Sequence, residues 1–221
     1  MKETTIPGVF KDKNKIFTEN PKNCKGLKVY NEKIIKNRGK ELRSWNPYRS
    51  KLAAAILNGF KFNIKADSKI LYLGAATGTT VSHISDICKN GIIYAVENSA
   101  IAVKKLIDVC EKRSNIIPIF KDANHPEHFS SIVLNVDLIY QDISQRNQAE
   151  IFSSNISRYL KKGGYGIIMV KARSIDVSLK PKKAYEIVCS QLEKDNLKID
   201  EKIDLNPYVK DHMAIIISNL I

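Results

Sequence analysis

No run in the sequence approaches the roughly eighteen consecutive apolar residues of a membrane-crossing helix, so no membrane association is expected. Cysteine is scarce and scattered. Cys24, Cys88, Cys110 and Cys189 form no CxxC pair, which argues against a disulfide scaffold and a zinc site and for reduced, mostly buried thiols. The opening MKETTIPGVF has no apolar stretch of the signal-peptide kind, so the expected location is the cytoplasm. Repeats, low-complexity tracts and disordered tails are missing. So are the marks of small RNA-recognition modules: RNP aromatics, a GxxG clamp or a zinc knuckle. Acidic residues are short in one place above all, because residues 1–51 hold 14 Lys/Arg against 5 Asp/Glu. Most of the net charge of +13 therefore sits in the first quarter, and the other 170 residues are near neutral. A lysine-rich compositional bias would be spread evenly; an excess gathered at one end points to a polyanionic partner.

What is present is an α/β pattern. At 221 residues with 43% hydrophobic content, one full core with a small appendage is the natural size. The stretch from Lys69 to Glu97 organises the rest. Ile70 to Leu73 reads as a buried strand, Gly74-Ala-Ala-Thr-Gly78 as a turn of small residues, and Thr79-Thr80 as the start of a helix reaching about Cys88. Ile92 to Val96 is a second strand ending on Glu97. Strand, glycine turn, helix, strand and acid make half a nucleotide-binding βαβ unit, in which the acid can accept from ribose hydroxyls. Ala76 stands where the second glycine of GxGxxG would be, and no lysine follows Gly78, so a Walker loop is excluded. A cofactor with adenosine but no pyrophosphate suits the turn. The bland alternative is a structural bend that binds nothing.

Residues 1–44 alternate short apolar pieces (Ile6 to Phe10, Ile16-Phe17, Leu27 to Tyr30, Ile34-Ile35) with Gly, Asn, Pro and Lys, which predicts a small β-rich domain of three or four strands. The main domain then spans 45–221. Trp45-Asn46-Pro47 opens a helix to Gly59, with Asn46 as N-cap, Pro47 at the first helical position and Lys51 beside the polar face. Further helices are expected from about Ser99 to Lys112, around Ile151 to Leu160 with Lys162-Gly163-Gly164 as its stop, and from Ser178 to Lys194. Strands are expected at Ile116–Phe120, Val136–Tyr140, Tyr165–Val170, Lys198–Leu205 and His212–Ser218. The last two follow one another without a helix and so predict an antiparallel hairpin at the sheet edge. His125 and His128, around Pro126, show no third ligand and read as surface imidazoles, so no metal is expected.

In an open parallel sheet, ligands bind outside the carboxyl ends of the strands, and those ends carry Gly74, Glu97, Asp122, Asp142 and Lys171. Strands must end in something polar, but an Asp and a Lys on adjacent strands beside a glycine turn exceed that requirement.

The blocks LYLGAATGTTVSHISDI, IYAVE, NIIPIFKDA, WNPYRSKLAAAIL and PYVKDHMAIII together resemble the fibrillarin family, specifically the archaeal fibrillarin-like RNA 2'-O-methyltransferases, over essentially the whole chain from about Pro7. The resemblance implies a Rossmann-like class I methyltransferase: a seven-stranded doubly wound sheet ending in an antiparallel hairpin. It also implies S-adenosyl-L-methionine as methyl donor to ribose 2'-hydroxyls of rRNA or tRNA. The family's cofactor site maps onto Gly74, Ala75, Ala76, Gly78, Thr79 and Thr80, then Glu97 and Asn98, Asp122 and Ala123, and Asp142, Ile143, Ser144 and Gln145. Its Lys-Asp-Lys set maps onto Lys51, Asp142 and Lys171, with the fourth group at Asp211 or His212, of which His212 is favoured. Lys171, oriented by Asp142, is expected to meet the ribose hydroxyl, while Lys51 steadies the ribose-phosphate. Implied partners are a box C/D guide RNA with its target, a Nop-family scaffold protein, and a kink-turn-binding ribosomal-type protein. Two other readings stand beside this one: a catalytically inactive RNA-binding or assembly subunit on the same fold, and an NAD(P)-dependent reductase, which Ala76 and the closing hairpin disfavour.

Overall fold

The computed structural model describes residues 1–61 and 64–218; residues 62, 63 and 219–221 of the expected main domain lie outside the described residues. The amino-terminal part forms an antiparallel five-stranded sheet of β1 (Lys2–Glu3), β2 (Val9–Asp12), β3 (Lys15–Glu19), β4 (Ile34–Asn37) and β5 (Lys40–Trp45), ordered β1-β2-β3-β5-β4. The expected strand at Leu27–Tyr30 does not form. The Glu32 carboxylate accepts from the backbone N–H groups of Val29 and Tyr30 and so takes the donors a ladder would use. β5 has no apolar run in its sequence KELRSW, yet it pairs with both β3 and β4.

Seven strands build the main sheet: β6 (Lys69–Leu73), β7 (Ile92–Glu97), β8 (Ile116–Phe120), β9 (Val136–Gln141), β10 (Leu160–Lys171), β11 (Lys198–Asp204) and β12 (His212–Ser218). The order is β11-β12-β10-β9-β6-β7-β8, parallel from β10 to β8 and antiparallel through β12 and β11. The expected terminal hairpin is therefore present, with β12 inserted beside β10. After β8 the chain returns to the other side of β6, so the switch point of the sheet lies between the ends of β6 and β9.

Alternation along the strands divides the core. Ile70, Tyr72, Tyr140 and Met169 face α1 (Lys51–Leu57), α2 (Thr79–Ile87) and α3 (Ala100–Cys110). Leu71, Leu73, Ile139 and Ile168 face α4 (Gln148–Tyr159) and α6 (Pro181–Lys194). Val9, Ile16 and Trp45 of the small sheet, with Ile6 from the turn between β1 and β2, join the first of these cores. The short α5 (Ala172–Ile175), which has no signal of its own in the sequence, follows β10 directly.

Three expected boundaries are corrected. α1 starts at Lys51, not Pro47: Ser50 caps it by accepting from the Ala53 N–H, and Asn46 instead accepts from the Tyr48 N–H in a local turn. Residues 52–56 are all buried, so α1 is enclosed rather than amphipathic. Lys162-Gly163-Gly164 does not end α4, which stops at Tyr159; both glycines lie within β10, where the register shifts between Leu160 and Tyr165. A Cβ on Gly164 would fall 2.9 Å from the Asp137 carbonyl oxygen, so the glycine there serves a bulge. α6 starts at Pro181 rather than Ser178, whose backbone and hydroxyl both donate to Asp176.

The small sheet meets α2 through sealed charges. Arg43 pairs with Glu32 at 2.7 Å and with Asp86 at 2.6 Å, and Arg113 reaches the other Asp86 oxygen at 2.5 Å. Thr18 donates to Asp86 at 2.7 Å and so accepts from Nδ1 of His83, whose ring stacks on Trp45. Burial alone would raise the Glu32 carboxyl, but Arg43 and the adjacent backbone donors outweigh it and hold it below the ordinary value. Burial, then Arg43 and Arg113, push the His83 ring well below its ordinary pKa, leaving it neutral. All four cysteines are free, and burial lifts the thiols of Cys88 to about 12 and Cys110 to about 11.

Candidate active site

The turn after β6 is built on left-handed backbone. Gly74, Ala76 and Gly78 have φ of +82°, +48° and +86°. A Cβ on Gly74 would lie 2.5 Å from the Asp142 carbonyl oxygen, so only glycine lets β6 and β9 end side by side. The N–H groups of Gly74 and Ala75 both donate to the Val96 carbonyl at 3.0 Å, which binds the turn to β7. Glu97 spans its mouth, accepting from the Ala76 N–H at 2.8 Å and from the Ser99 N–H at 2.8 Å.

From there a cleft runs along the carboxyl edge of the sheet, lined by Gly74, Glu97, Asn98, Asp122, Ala123, Ile143 and Gln145. These are seven of the residues the sequence nominates, with Val96 and Lys121 added. Asp122 is kept below its ordinary pKa first by the Asn124 backbone N–H and then by the Asn124 amide. Asn124 is a further residue of this edge that no motif in the sequence singles out. Its amide donates to Gln145 and accepts from Asn147, stitching the loop after β8 to the loop after β9. Its only signal was position, two residues after a strand-end aspartate.

Not every nominated residue faces this cleft. Thr80 is buried and donates to the Ser50 hydroxyl, tying the cap of α1 to the start of α2. Thr79 lines a separate cavity beneath the small sheet, with Tyr30 and Arg113. Ala75 is buried, and Ser144 is exposed.

The charged group lies beside the switch point. Lys51, the first residue of α1, reaches Asp142 at 2.5 Å, and the Asp142 N–H continues the β6–β9 ladder by donating to Leu73. The Ser50 cap and its Thr80 contact therefore aim Lys51. Lys171 ends β10 directly opposite His212, the first residue of β12. Burial lowers the His212 pKa; Lys51 and Lys171 add to this, against the Lys210 carbonyl and Asp142, so all three charged groups act on this one ring. Because a carbonyl only accepts, Nδ1 of His212 donates to Lys210 at 2.7 Å and the neutral ring keeps its lone pair on Nε2. Asp211 is otherwise engaged, its carboxylate accepting from Arg173 at 3.1 Å. The orienting contact expected from Asp142 to Lys171 falls to Lys51 instead, because the capped start of α1 presses Lys51 onto the end of β9. On the same rim Tyr48 is 69% exposed, its ring edge-on to Tyr208 at 5.5 Å, an aromatic pair that 160 residues of sequence keep apart.

A doubly wound sheet closed by an antiparallel hairpin, with a glycine turn and an acid-lined cleft at its switch point, defines a Rossmann-like class I methyltransferase. Within that class the chain belongs to the fibrillarin family, whose family model matches residues 1–220. It is 52% identical over 193 residues to the fibrillarin-like rRNA/tRNA 2'-O-methyltransferase of Methanocaldococcus jannaschii, covering 87% of this chain and 84% of that one. Fibrillarin solved in a complex with Nop5p superposes with a TM-score of 0.90 at 44% identity, over 98% of this chain and 99% of that one. Aeropyrum pernix fibrillarin, solved with natively bound S-adenosyl-L-methionine, superposes with a TM-score of 0.83 at 41% identity, over 92% of this chain and 88% of that one.

Proposed function

We propose that this chain is the methyl-transferring subunit of a guide-directed ribonucleoprotein, moving the methyl group of S-adenosyl-L-methionine to ribose 2'-hydroxyls of rRNA and tRNA. The reading extends to this chain what its relatives' names state: an rRNA/tRNA 2'-O-methyltransferase, a fibrillarin holding adenosylmethionine and a fibrillarin joined to Nop5p. The observation that carries it is the gathering of Lys51, Asp142, Lys171 and His212 beside one acid-lined cleft.

The residues fit a nucleoside cofactor without pyrophosphate. The turn from Gly74 to Gly78 gives close backbone approach, Glu97 and Asn98 suit ribose hydroxyls, and Asp122 with Ala123 suits an adenine edge. Asp142, Ile143 and Gln145 would border the methionine end with Ser144 among them, while Ala75 and Ala76 lie in the turn after β6 and Thr79 and Thr80 at the start of α2. Bound there, adenosylmethionine supplies an electrophilic methyl group. The chain's own residues then act on the ribose. Lys51 holds the Asp142 carboxylate in place, Lys171 stabilises negative charge growing on the 2'-oxygen, and Nε2 of neutral His212 can take the proton.

Residues 1–44 form the small β-rich domain in this reading and residues 45–221 the methyltransferase domain. Lysines 11, 13, 15, 22, 25 and 28 are exposed and give the small domain affinity for a phosphate backbone, without sequence choice. Site choice then falls to a box C/D guide RNA paired with the target, held by a Nop-family scaffold and a kink-turn-binding ribosomal-type protein in the cytoplasm. Reconstitution with guide RNA and both proteins is expected to methylate single riboses at guide-specified positions. Isolated, the chain is expected to bind RNA weakly and in a salt-sensitive way. No methyl transfer by the assembled particle, or robust site-specific transfer by the chain alone, would refute the reading.

A further inference from the structure

Between β8 and β9 the chain makes a single 3-10 turn, Pro126–Phe129, with His125 immediately before it. In sequence, His125 and His128 stand three apart with no evident third ligand. The turn supplies one. Oε1 of Glu127 lies 3.3 Å from Nδ1 of His125 and 3.7 Å from Nε2 of His128, and the three ligand atoms are all within 4.8 Å of one another. Zinc bonds of about 2.0–2.1 Å arranged tetrahedrally put ligand atoms about 3.3 Å apart. Two of the three separations are thus already near the edge length of such a tetrahedron. The His125 and His128 rings stack with centroids 5.0 Å apart and planes 23° apart, so these exposed side chains must turn to bring both lone pairs onto one ion.

We propose that His125, Glu127 and His128 form an open three-ligand site for a divalent first-row transition ion of the zinc class. Two imidazoles and one carboxylate match zinc, nickel or copper, whereas calcium and magnesium demand an all-oxygen shell. A fourth position faces solvent, since the three side chains are more than half exposed. The backbone beneath is fixed before any ion arrives. Phe129 is fully buried and stacks on Tyr159, and the Tyr159 hydroxyl donates to the Pro126 carbonyl at 2.5 Å. The His125 N–H donates to the Asp122 carbonyl and the His128 N–H to the His125 carbonyl. With that backbone fixed, an ion has only the three side chains left to order. Without an ion, the same contacts are one ordinary hydrogen bond from His125 to the Glu127 carboxylate and a looser approach of His128 to it, and the two cases differ in one measurement.

Zinc titrated into the untagged full chain by calorimetry is expected to bind at one ion per chain. Loss of even an outer-shell partner costs a metal site about 10–100-fold in affinity, so His125→Ala and His128→Ala are each expected to weaken binding at least tenfold. Cobalt(II) in place of zinc is expected to give the visible bands of nitrogen and oxygen ligation without a thiolate charge-transfer band. Zinc is also expected to raise the melting temperature of the wild type and not of the His125→Ala/His128→Ala double variant. The three side chains being exposed, these variants fold. Zinc affinity unchanged in the double variant, a cobalt thiolate band, or no zinc binding by the wild type would each overturn the site.

Discussion

Two groups of paired bases and acids in this molecule serve opposite ends. Beneath the small sheet, Arg43, Arg113, Glu32 and Asp86 are sealed from water, and both Asp86 oxygens are matched to a guanidinium. At the carboxyl edge of the main sheet, Lys51 and Asp142 are each about one-fifth exposed and stand beside Lys171 and His212, with donors and acceptors to spare. A closed network has nothing left to offer a ligand, and its value lies in what its disruption would cost. An open one contributes little to stability and keeps its electrostatics for a bound molecule. The histidines repeat the contrast. Burial lowers the pKa of both, but both ring nitrogens of His83 are occupied, whereas no described residue bonds to Nε2 of His212.

The sharpest way to break this comparison is Asp86→Ala, which leaves buried Arg43 to Glu32 alone, takes the carboxylate from buried Arg113, and is expected to cost about 3–5 kcal/mol in urea unfolding; a variant as stable as wild type would erase the distinction. Asp142→Ala and Lys171→Ala are expected to leave unfolding within about 1 kcal/mol of wild type. Each should lower guide-directed methylation at least a hundredfold, about 2.7 kcal/mol in barrier. Calorimetric binding of adenosylmethionine should survive, and turnover retained by either variant would remove that residue from the proposed machinery.

Acid should separate the two histidines. The unfolded chain protonates its imidazole below about pH 6.5 while buried His83 stays neutral, so stability is expected to fall from there downward, with Glu32 adding to the loss at lower pH. A His83→Gln variant should lose the first part of that slope. Methylation should instead persist below the ordinary imidazole pKa before it declines, because the His212 pKa is lowered and its neutral form survives further into acid; a rate already halved near 6.5 would contradict its role. The smallest effect is expected from Ser50→Ala, about 1 kcal/mol for a lost cap. If Ser50 aims Lys51, the KM for RNA should rise with it.

Much of this was legible beforehand. The run from Ile70 to Glu97 announces a βαβ unit because a buried strand, a small-residue turn and a helix each leave a local mark, and the polar strand ends follow from where that unit stops. Other features left no such mark. β5 reads as polar because its buried Arg43 is intelligible only once Glu32 and Asp86 are beside it. Asn46-Pro47 imitates a helix start as well as Ser50 does, and the choice rests on Thr80 thirty residues away. Gly163-Gly164 looks like a helix stop until the adjacent Asp137 backbone shows why a side chain would not fit. Glu127 becomes a partner of His125 and His128 only because the segment folds as a tight turn.

By itself, then, the sequence determined the alternation of strands and helices, the glycine turn, and which polar groups stand at strand ends, since periodicity and backbone sterics act over a few residues. Tertiary structure alone decided which charges were sealed and which left open, and that Lys51 rather than Lys171 would hold Asp142. Solvation and pairing depend on groups from distant parts of the chain, and no local pattern encodes how far from water a carboxylate will sit.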